Sequence, residues 1–292
     1  MKEQFNKGLL LTSLGSFWWG FIGVLYFEYV SFIGHIELVV HRCLWTAVML
    51  IITTSFLAKW NTFLIIISNK KNLLFLFFSG LLIFINWAVW IYAVATERII
   101  DASFGYFIMP IISVLLGYIF FKEKLNKKRI FSIILVSISI LILIFFNLKS
   151  LPWVGLIVAF SWAFYNLIRK KIDVDTDIGL LIESLYILPF ALVAFYLIAK
   201  TGVNDFSLSN PSLSLFLILA GPMTVIPLFL YVRGVELIGL GPTGMIFYIT
   251  PTLQFILGYF YYNEDFSIIK FVSFIIIWIA VIIYLKDLYE TN

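Results

Sequence analysis

The sequence predicts an all-α integral membrane protein with ten transmembrane helices, arranged as two inverted-topology repeats of five helices each. Three observations predict this fold class: an extreme apolar composition, ten apolar runs bounded by charged residues, and a motif that recurs at a fixed spacing of 141 residues. The segments between the apolar runs are short, and no low-complexity segment accompanies them. Any chemistry that the chain performs is therefore expected within the membrane.

The composition excludes a soluble globular protein. Of the 292 residues, 62% are hydrophobic and 12% are charged, and the mean hydropathy is +1.05. Soluble domains contain about 45–50% apolar and about 25% charged residues, because polar side chains must cover their surface. The pI near 9.0 does not indicate nucleic-acid binding, since the basic residues form short clusters between apolar runs, as membrane topology requires.

The sequence contains no pattern typical of a catalytic, nucleotide-binding or metal site. Cys43 is the single cysteine, and His35 and His41 are the only histidines. There is no CxxC, no HExxH, no Gly-rich nucleotide loop and no Ser/His/Asp arrangement. The sequence therefore predicts no metal, no cofactor and no enzymatic activity. The short basic start, residues 1–7, runs directly into apolar sequence and predicts an uncleaved first helix.

Ten apolar runs approach the length of about 20 residues that a membrane crossing needs. They cover 8–29, 36–58, 72–95, 102–121, 129–147, 151–168, 178–198, 213–232, 241–262 and 267–286. With these spans, fifteen of the 20 Lys and Arg residues fall on one side of the membrane, four fall on the other, and Arg42 lies within a helix. The positive-inside rule then predicts that both termini are cytoplasmic.

A motif of the form P-x6-G-Y-x4-E occurs twice, with every position offset by 141 residues. The first copy consists of Pro110, Gly117, Tyr118 and Glu123, and the second of Pro251, Gly258, Tyr259 and Glu264. The predicted halves, 1–147 and 148–292, contain five helices each. Because five is odd, the second half enters the membrane from the opposite side, which is the inverted repeat of many secondary transporters, with the substrate site near the midplane.

Pro110 and Pro251 fall in the middle of predicted helices at equivalent places in the two halves. Each removes a backbone hydrogen bond and crowds the carbonyl group four residues earlier. The pair therefore predicts kinks that could serve in gating. The alternative is that both prolines only shape helix packing, since membrane helices tolerate proline.

Two charges within the predicted membrane helices are candidates for the solute pathway. Arg42 and Glu183 are also offset by 141 residues, and inverted symmetry places each about two turns from opposite membrane faces, so a direct salt bridge is not expected. Buried charges usually face a cavity or a partner, because placing each charge in the membrane costs roughly 2.5–3.5 kcal/mol on insertion scales. The alternatives are that Arg42 extends to the outer headgroups and that Glu183 stabilises a helix start.

Protons are a candidate coupling ion for transport. Glu183 or His41 would carry the proton, since both side chains can change charge when partly buried.

The other pathway candidates are polar or aromatic residues at predicted mid-membrane positions. They are Trp19, Asn86, Trp87, Trp90, Tyr106, Tyr165, Asn166, Tyr231 and Tyr248. Trp90 and Tyr231 share the offset of 141, and Trp19 matches Trp162 at an offset of 143. This recurrence in both halves predicts one shared cavity, although packing is the alternative for the aromatic residues and interhelical hydrogen bonding is the alternative for the asparagines.

Several segments along the chain resemble one family. They are His41-Arg42-x-x-Trp45, Asn86-Trp87, Ala102-Ser103-x-Gly105-Tyr106-Phe107-Ile108-x-Pro110, Phe164-Tyr165-x-x-Ile168-Arg169-Lys170-Lys171, Ile182-Glu183-Ser184 and Tyr248-Ile249-x-Pro251-Thr252. Their order and content resemble the RarD family of chloramphenicol-sensitive proteins, which belong to the EamA group of the drug/metabolite transporter superfamily. The resemblance implies a ten-helix inverted-repeat fold, a bacterial inner-membrane location and a permease role, without naming a substrate. Arg233 and Glu236 fall outside the matching segments.

The leading functional hypothesis is a secondary-active or facilitative transporter of small metabolites or drug-like solutes that works by alternating access. Its expected partners are a small-molecule solute and the lipid bilayer, with no nucleic acid. A membrane-embedded lipid enzyme would need clustered catalytic residues, and a scaffold or sensor would need a signalling domain or an extended loop. A channel would need a charged ring or a filter motif. The sequence shows none of these.

Overall fold

The computed structural model describes residues 2–95, 99–147, 153–202, 204–261 and 268–291, with side chains described outside 94–104 and 147. Every regular element in these ranges is a helix, which confirms the all-α class. The helices are α1 (Lys2–Phe17), a π-helical turn (Trp18–Ile22), α2 (Gly23–Tyr29), α3 (His35–Phe56), α4 (Trp60–Ile67), α5 (Lys70–Ala95), α6 (Ile99–Phe121), α7 (Lys127–Asn147), α8 (Trp153–Lys171), α9 (Thr176–Thr201), α10 (Pro211–Ile238), α11 (Leu240–Ile246), α12 (Ile249–Phe260) and α13 (Ile268–Thr291).

Within the described residues, seven helical segments are long and apolar enough to cross a membrane, and Gly105–Phe121 is a shorter apolar helix. Large apolar side chains cover the exterior, among them Phe56 at 86% exposure and Phe145 at 83%. Such a surface is stable only against lipid, so the membrane class is confirmed. The count of ten spans stays a prediction, because α8 ends in three basic residues and the predicted span 241–262 is divided between two short helices.

The helices depart from the predicted pattern at three places, which are two breaks and one additional short helix. The first predicted span contains the π-helical turn Trp18–Ile22, a distortion that is frequent at functional sites. The short helix α4, with Ile65 at 72% exposure, was not predicted as an element. A further break separates α11 from α12 and leaves Pro251 in the first turn of α12, where a missing N–H costs little. Helix α6 continues through Pro110, so a gating role for the two prolines stays a prediction.

The main helix contacts join the first part of the chain to the second. Helix α6 packs on α8, α7 packs on α13, α1 packs on α10, and α5 packs on α8. Helix α3 packs on both α9 and α10. These contacts interleave the predicted halves and bring the charged and aromatic candidates from 1–147 against those from 148–292.

Candidate solute pathway

Arg42 lies on α3 and packs against α5 and α10. Helices α3 and α10 approach closely because Gly221 has no side chain, and a Cβ there would lie 2.5 Å from the carbonyl oxygen of Trp45. Arg42 Nε donates a 3.0 Å hydrogen bond to Oγ1 of Thr224, and its guanidinium carbon lies 4.5 Å from the ring centroid of Trp87. Only 8% of the residue is exposed. The guanidinium group is therefore packed inside the protein instead of extending to the headgroups.

Seven aromatic residues contact one another at the centre of the bundle, and we call them the central aromatic cluster. They are Trp19, Trp90, Tyr106, Trp162, Tyr165, Tyr231 and Phe247. The ring centroid of Trp162 lies 5.1 Å from that of Trp19 and 5.5 Å from that of Tyr231. The tilted and edge-to-face geometries are those that aromatic pairs favour. The structure thus brings together aromatic candidates from both parts of the chain, and adds Phe247, which was not a predicted candidate.

A small cavity lies between α3, α5, α9 and α10, close to both Trp87 and Glu183. Thr46, one turn after Arg42, and Trp87 line one part of it, and Glu183 lines another. The cavity volume is about 10 Å³, which is roughly the space that one water molecule needs. In this conformation the cavity is too small for a metabolite, so a solute could enter only after the helices move.

The Glu183 carboxylate is buried and fully engaged by neighbouring side chains. Ser79 Oγ on α5 donates a 2.6 Å hydrogen bond to Oε1, and the Tyr165 hydroxyl on α8 donates a 3.2 Å bond to Oε2. Arg169 Nη1 lies 3.6 Å from Oε1. Among the described ion pairs there is none between Glu183 and Arg42, as expected from their predicted depths. Tyr165 links the Glu183 carboxylate to the central aromatic cluster.

Arg169 is a buried residue at the centre of an ion network that sequence reasoning missed. Its side chain is 0% exposed, and it lies 3.6 Å from Glu183 and 3.6 Å from Glu236. Glu236 also pairs with Arg233 at 2.8 Å and accepts a 2.6 Å hydrogen bond from Thr176. In the sequence, Arg169 precedes two lysines, a pattern that predicts a basic cytoplasmic cluster and not a buried ion pair. The network also gives a structural place to Arg233 and Glu236, which lay outside the family-like segments.

His41 contacts a different set of groups from its neighbour Arg42. Its Nε2 lies 3.6 Å from Oε1 of Glu37, and its Nδ1 accepts a 3.1 Å hydrogen bond from Trp45 Nε1. The ring packs against Phe206, with centroids 5.0 Å apart. Glu37 in turn accepts hydrogen bonds from the backbone N–H groups of Asp205 and Phe206. His41 therefore lies where the segment between α9 and α10 is attached to α3, and it is not in contact with the central aromatic cluster within the described residues.

The two asparagine candidates make contacts of different kinds. Asn86 Nδ2 donates to the carbonyl oxygen of Val158 at 2.9 Å and to Ser161 Oγ at 3.1 Å, which joins α5 to α8. Asn166 Nδ2 donates at 2.9 Å to the carbonyl oxygen of Trp162, within its own helix. Interhelical hydrogen bonding, the alternative stated for both asparagines, thus describes Asn86 and not Asn166.

Glu123, the last residue of the first motif, links the end of α6 to the start of α11. Its carboxylate accepts hydrogen bonds from the backbone N–H groups of Leu240 at 2.8 Å and Gly241 at 2.9 Å. Gly239 has a φ of +93° at this turn, a conformation that glycine adopts readily. Burial raises the pKa of Glu123 above its ordinary value, while the hydrogen bonds from Gly241 and Leu240 act in the opposite direction. Glu264, its counterpart in the second motif, lies outside the described residues.

The raised pKa of Glu123 predicts how stability depends on pH. The folded protein binds a proton at Glu123 more readily than the unfolded chain does, so this contribution to stability is present below the ordinary carboxyl pKa and is lost as pH rises through the folded-state value. Glu123→Gln should remove this component from the pH dependence of the unfolding free energy. Glu3→Gln, a change at an exposed carboxylate, serves as the control. Identical pH dependences for wild type and Glu123→Gln would contradict the assignment.

A lipid-facing helical exterior around buried charges and clustered aromatic residues is typical of membrane proteins that pass solutes through their interior. The model of the EamA-like transporter family matches residues 6–145 and again residues 150–286. The chain belongs to the EamA-like transporter family, and so to the drug/metabolite transporter superfamily. It is a multi-pass bacterial membrane protein of a transporter family.

Individual relatives cover nearly the whole chain. Protein RarD of Escherichia coli (strain K12) is 33% identical over 290 residues, which are 99% of this chain and 97% of that protein. The uncharacterized transporter YojE of Bacillus subtilis is 35% identical over 282 residues, with 96% and 93% covered. A solved crystal structure, 12% identical, has the same fold with a TM-score of 0.73 over 97% of this chain and 98% of its own. The resemblance to the RarD family is thereby confirmed.

Proposed function

We propose that the protein moves small metabolites or drug-like solutes across the bacterial inner membrane by alternating access, as a secondary-active or facilitative permease. The observation that carries this proposal is the small internal cavity between α3, α5, α9 and α10, which is lined by both Trp87 and Glu183. The buried Glu183 carboxylate lines this cavity, and the buried Arg42 guanidinium packs on the Trp87 ring that also lines it. Buried charges and aromatic side chains facing a shared interior space are the groups from which solute sites in membranes are built.

The proposal assigns residues 1–147 and 148–292 to two inverted five-helix repeats. Residues 141 positions apart contact each other, since the Tyr106 and Phe247 ring centroids lie 5.7 Å apart and the Tyr248 hydroxyl donates to the Phe107 carbonyl oxygen at 2.8 Å. A residue that touches its own counterpart lies beside a two-fold axis. Main helix contacts also correspond between the repeats, since α1 on α10 is matched by α8 on α5, and α3 on α10 by α9 on α5. Rocking of one repeat against the other about this axis would open each side in turn.

The conformation described supports a closed state of such a cycle. With both termini in the cytoplasm, the Arg169 network lies towards the cytoplasmic side and Arg42 towards the outer side. The Glu37 carboxylate holds the backbone of Asp205 and Phe206 over the start of α3 on that outer side. The small volume between these two closures would then be the transport site before either side opens.

The test is solute flux into liposomes that contain the purified protein, with a broad metabolite panel, both with and without a pH gradient. Glu183→Gln should abolish the pH dependence of the flux if Glu183 carries a coupled proton, because the amide keeps the shape of the carboxylate and cannot titrate. Glu183 faces Ser79 of α5 and both Tyr165 and Arg169 of α8, and Arg169 keeps Glu236 as an acidic partner after the change.

Glu290→Gln, at a half-exposed carboxylate that pairs with Lys128, is the matched control and should behave like wild type. An unchanged pH dependence in Glu183→Gln would remove this residue from proton coupling while leaving transport intact. A protein that moves no member of the panel in either condition would contradict the proposed function itself.

A further inference from the structure

We propose that the transported solute carries an anionic group, a carboxylate or a phosphate, attached to a flat apolar body, and that Arg42 binds the anionic group. This inference rests on the proposed function and specifies the substrate class of the same site. It depends on how Arg42 differs from the other buried arginines of the described structure.

Arg42 is a buried arginine that has no acidic partner within the described part of the chain. By contrast, Arg169 lies 3.6 Å from each of two carboxylates, Glu183 and Glu236, and Arg129 pairs with Asp287 at 2.8 Å. Arg42 is only 8% exposed, so little water can reach it in place of a counter-ion. A buried cation without a counter-ion is costly, and an anionic solute would supply the missing charge.

The guanidinium group is also held in an orientation that leaves its terminal nitrogens available. Thr224 Oγ1 accepts from Nε at 3.0 Å, and the face of the group lies over the Trp87 ring at 4.5 Å. Neither contact uses the terminal N–H groups, which make no hydrogen bond to any described residue. Two parallel N–H donors on the edge of a guanidinium group match the geometry of a carboxylate or a phosphate.

The surroundings predict the rest of the solute. The ring of Trp87 supports Arg42 and also lines the cavity, so a group bound to Arg42 would place the remainder of the solute against aromatic and aliphatic side chains. A cationic solute is disfavoured, because the Glu183 carboxylate that lines the cavity already contacts Ser79, Tyr165 and Arg169. The free charge of the site is therefore positive.

The experiment compares matched anionic and neutral probes on the full-length protein in liposomes. The panel pairs indole-3-acetate with indole-3-acetamide, benzoate with benzamide, and phenyl phosphate with phenol, and it includes tryptamine as a cation. Wild-type protein should bind and transport the anionic member of a pair roughly ten- to a hundredfold better, which is the usual size of a charge-assisted hydrogen-bonded contact. Arg42→Gln should reduce this preference to about onefold, and Arg42→Lys should retain part of it.

Lys128→Gln removes one positive charge from a side chain that is 62% exposed and should leave the anion preference unchanged. The comparison of anionic and neutral probes uses wild-type protein, so it remains valid even if a variant fails to fold. Equal handling of the anionic and neutral members, or a preference that survives in Arg42→Gln, would overturn the inference and leave the transport function standing. An absence of flux for anionic, neutral and cationic probes and for the broad metabolite panel would contradict the proposed function and this inference with it.

Discussion

Arg169→Met is expected to lower the free energy of unfolding by about 3–5 kcal/mol, which is typical of removing one partner from a buried ion pair. The apolar replacement would leave Glu183 and Glu236 buried without the cation that lies 3.6 Å from each of them. The Arg169 side chain is 0% exposed, so water cannot replace it. The measurement is denaturant unfolding of the purified protein in detergent, followed by tryptophan fluorescence.

Arg233→Met is the matched control for this change. Arg233 pairs with the same Glu236 at 2.8 Å, but its side chain is 43% exposed, so its loss should cost less than about 1 kcal/mol. Adding Glu183→Gln to Arg169→Met should restore part of the lost stability, because it removes one of the uncompensated charges. If Arg169→Met unfolded at the same denaturant concentration as wild type, the network would not contribute to stability as described.

Trp162→Ala is expected to destabilise the protein by about 3–5 kcal/mol and to remove most solute flux. The loss of a buried aromatic side chain leaves a cavity whose lining loses its contacts, and here that lining is formed by other members of the central aromatic cluster. Trp19 and Tyr231 both lie within 5.5 Å of the Trp162 ring, at 5.1 and 5.5 Å between centroids. Unfolding and flux should be measured on the same preparations, so that a loss of transport in folded protein is recognised.

Trp162→Phe retains an aromatic ring and should keep most of the stability. Trp60→Ala, at a position that is 38% exposed and typical of the membrane interface, should leave solute flux unchanged. Wild-type flux in folded Trp162→Ala would show that the central aromatic cluster is a packing feature and does not contact the solute.

The sequence was most informative where the signal is local. A run of apolar residues identifies a lipid-facing helix without any knowledge of its neighbours, because lipid contact selects composition directly. Recurrence at an offset of 141 residues was equally informative, and it singled out Trp90 and Tyr231, both of which lie in the central aromatic cluster. Phe247 was missed as a member, although it occupies the position equivalent to Tyr106, and the same offset could have identified it.

Features that depend on a partner elsewhere in the chain were harder to predict. Arg169 reads as one of three consecutive basic residues at a helix end, and only the approach of α9 and α10 shows that it is buried between two carboxylates. His41 and Arg42 are adjacent in sequence, yet their side chains contact Phe206 and Trp87 respectively. Consecutive residues of an α-helix point in directions about 100° apart. The sequence does not show which neighbouring helix or loop each side chain contacts.

The sequence by itself therefore determined the membrane class, the positions of the apolar segments and the residue types available to a solute pathway. These features follow from composition and residue spacing, because the apolar residues that a helix needs in lipid are contained in the helix's own sequence. The tertiary structure alone decided which charges are compensated. Glu183 is paired with Arg169, whereas Arg42 contacts Thr224, Phe27 and Trp87 and has no acidic partner in the described structure. That difference arises because burial and distance between helices set the energy of a charge, and neither quantity is contained in the sequence of one helix.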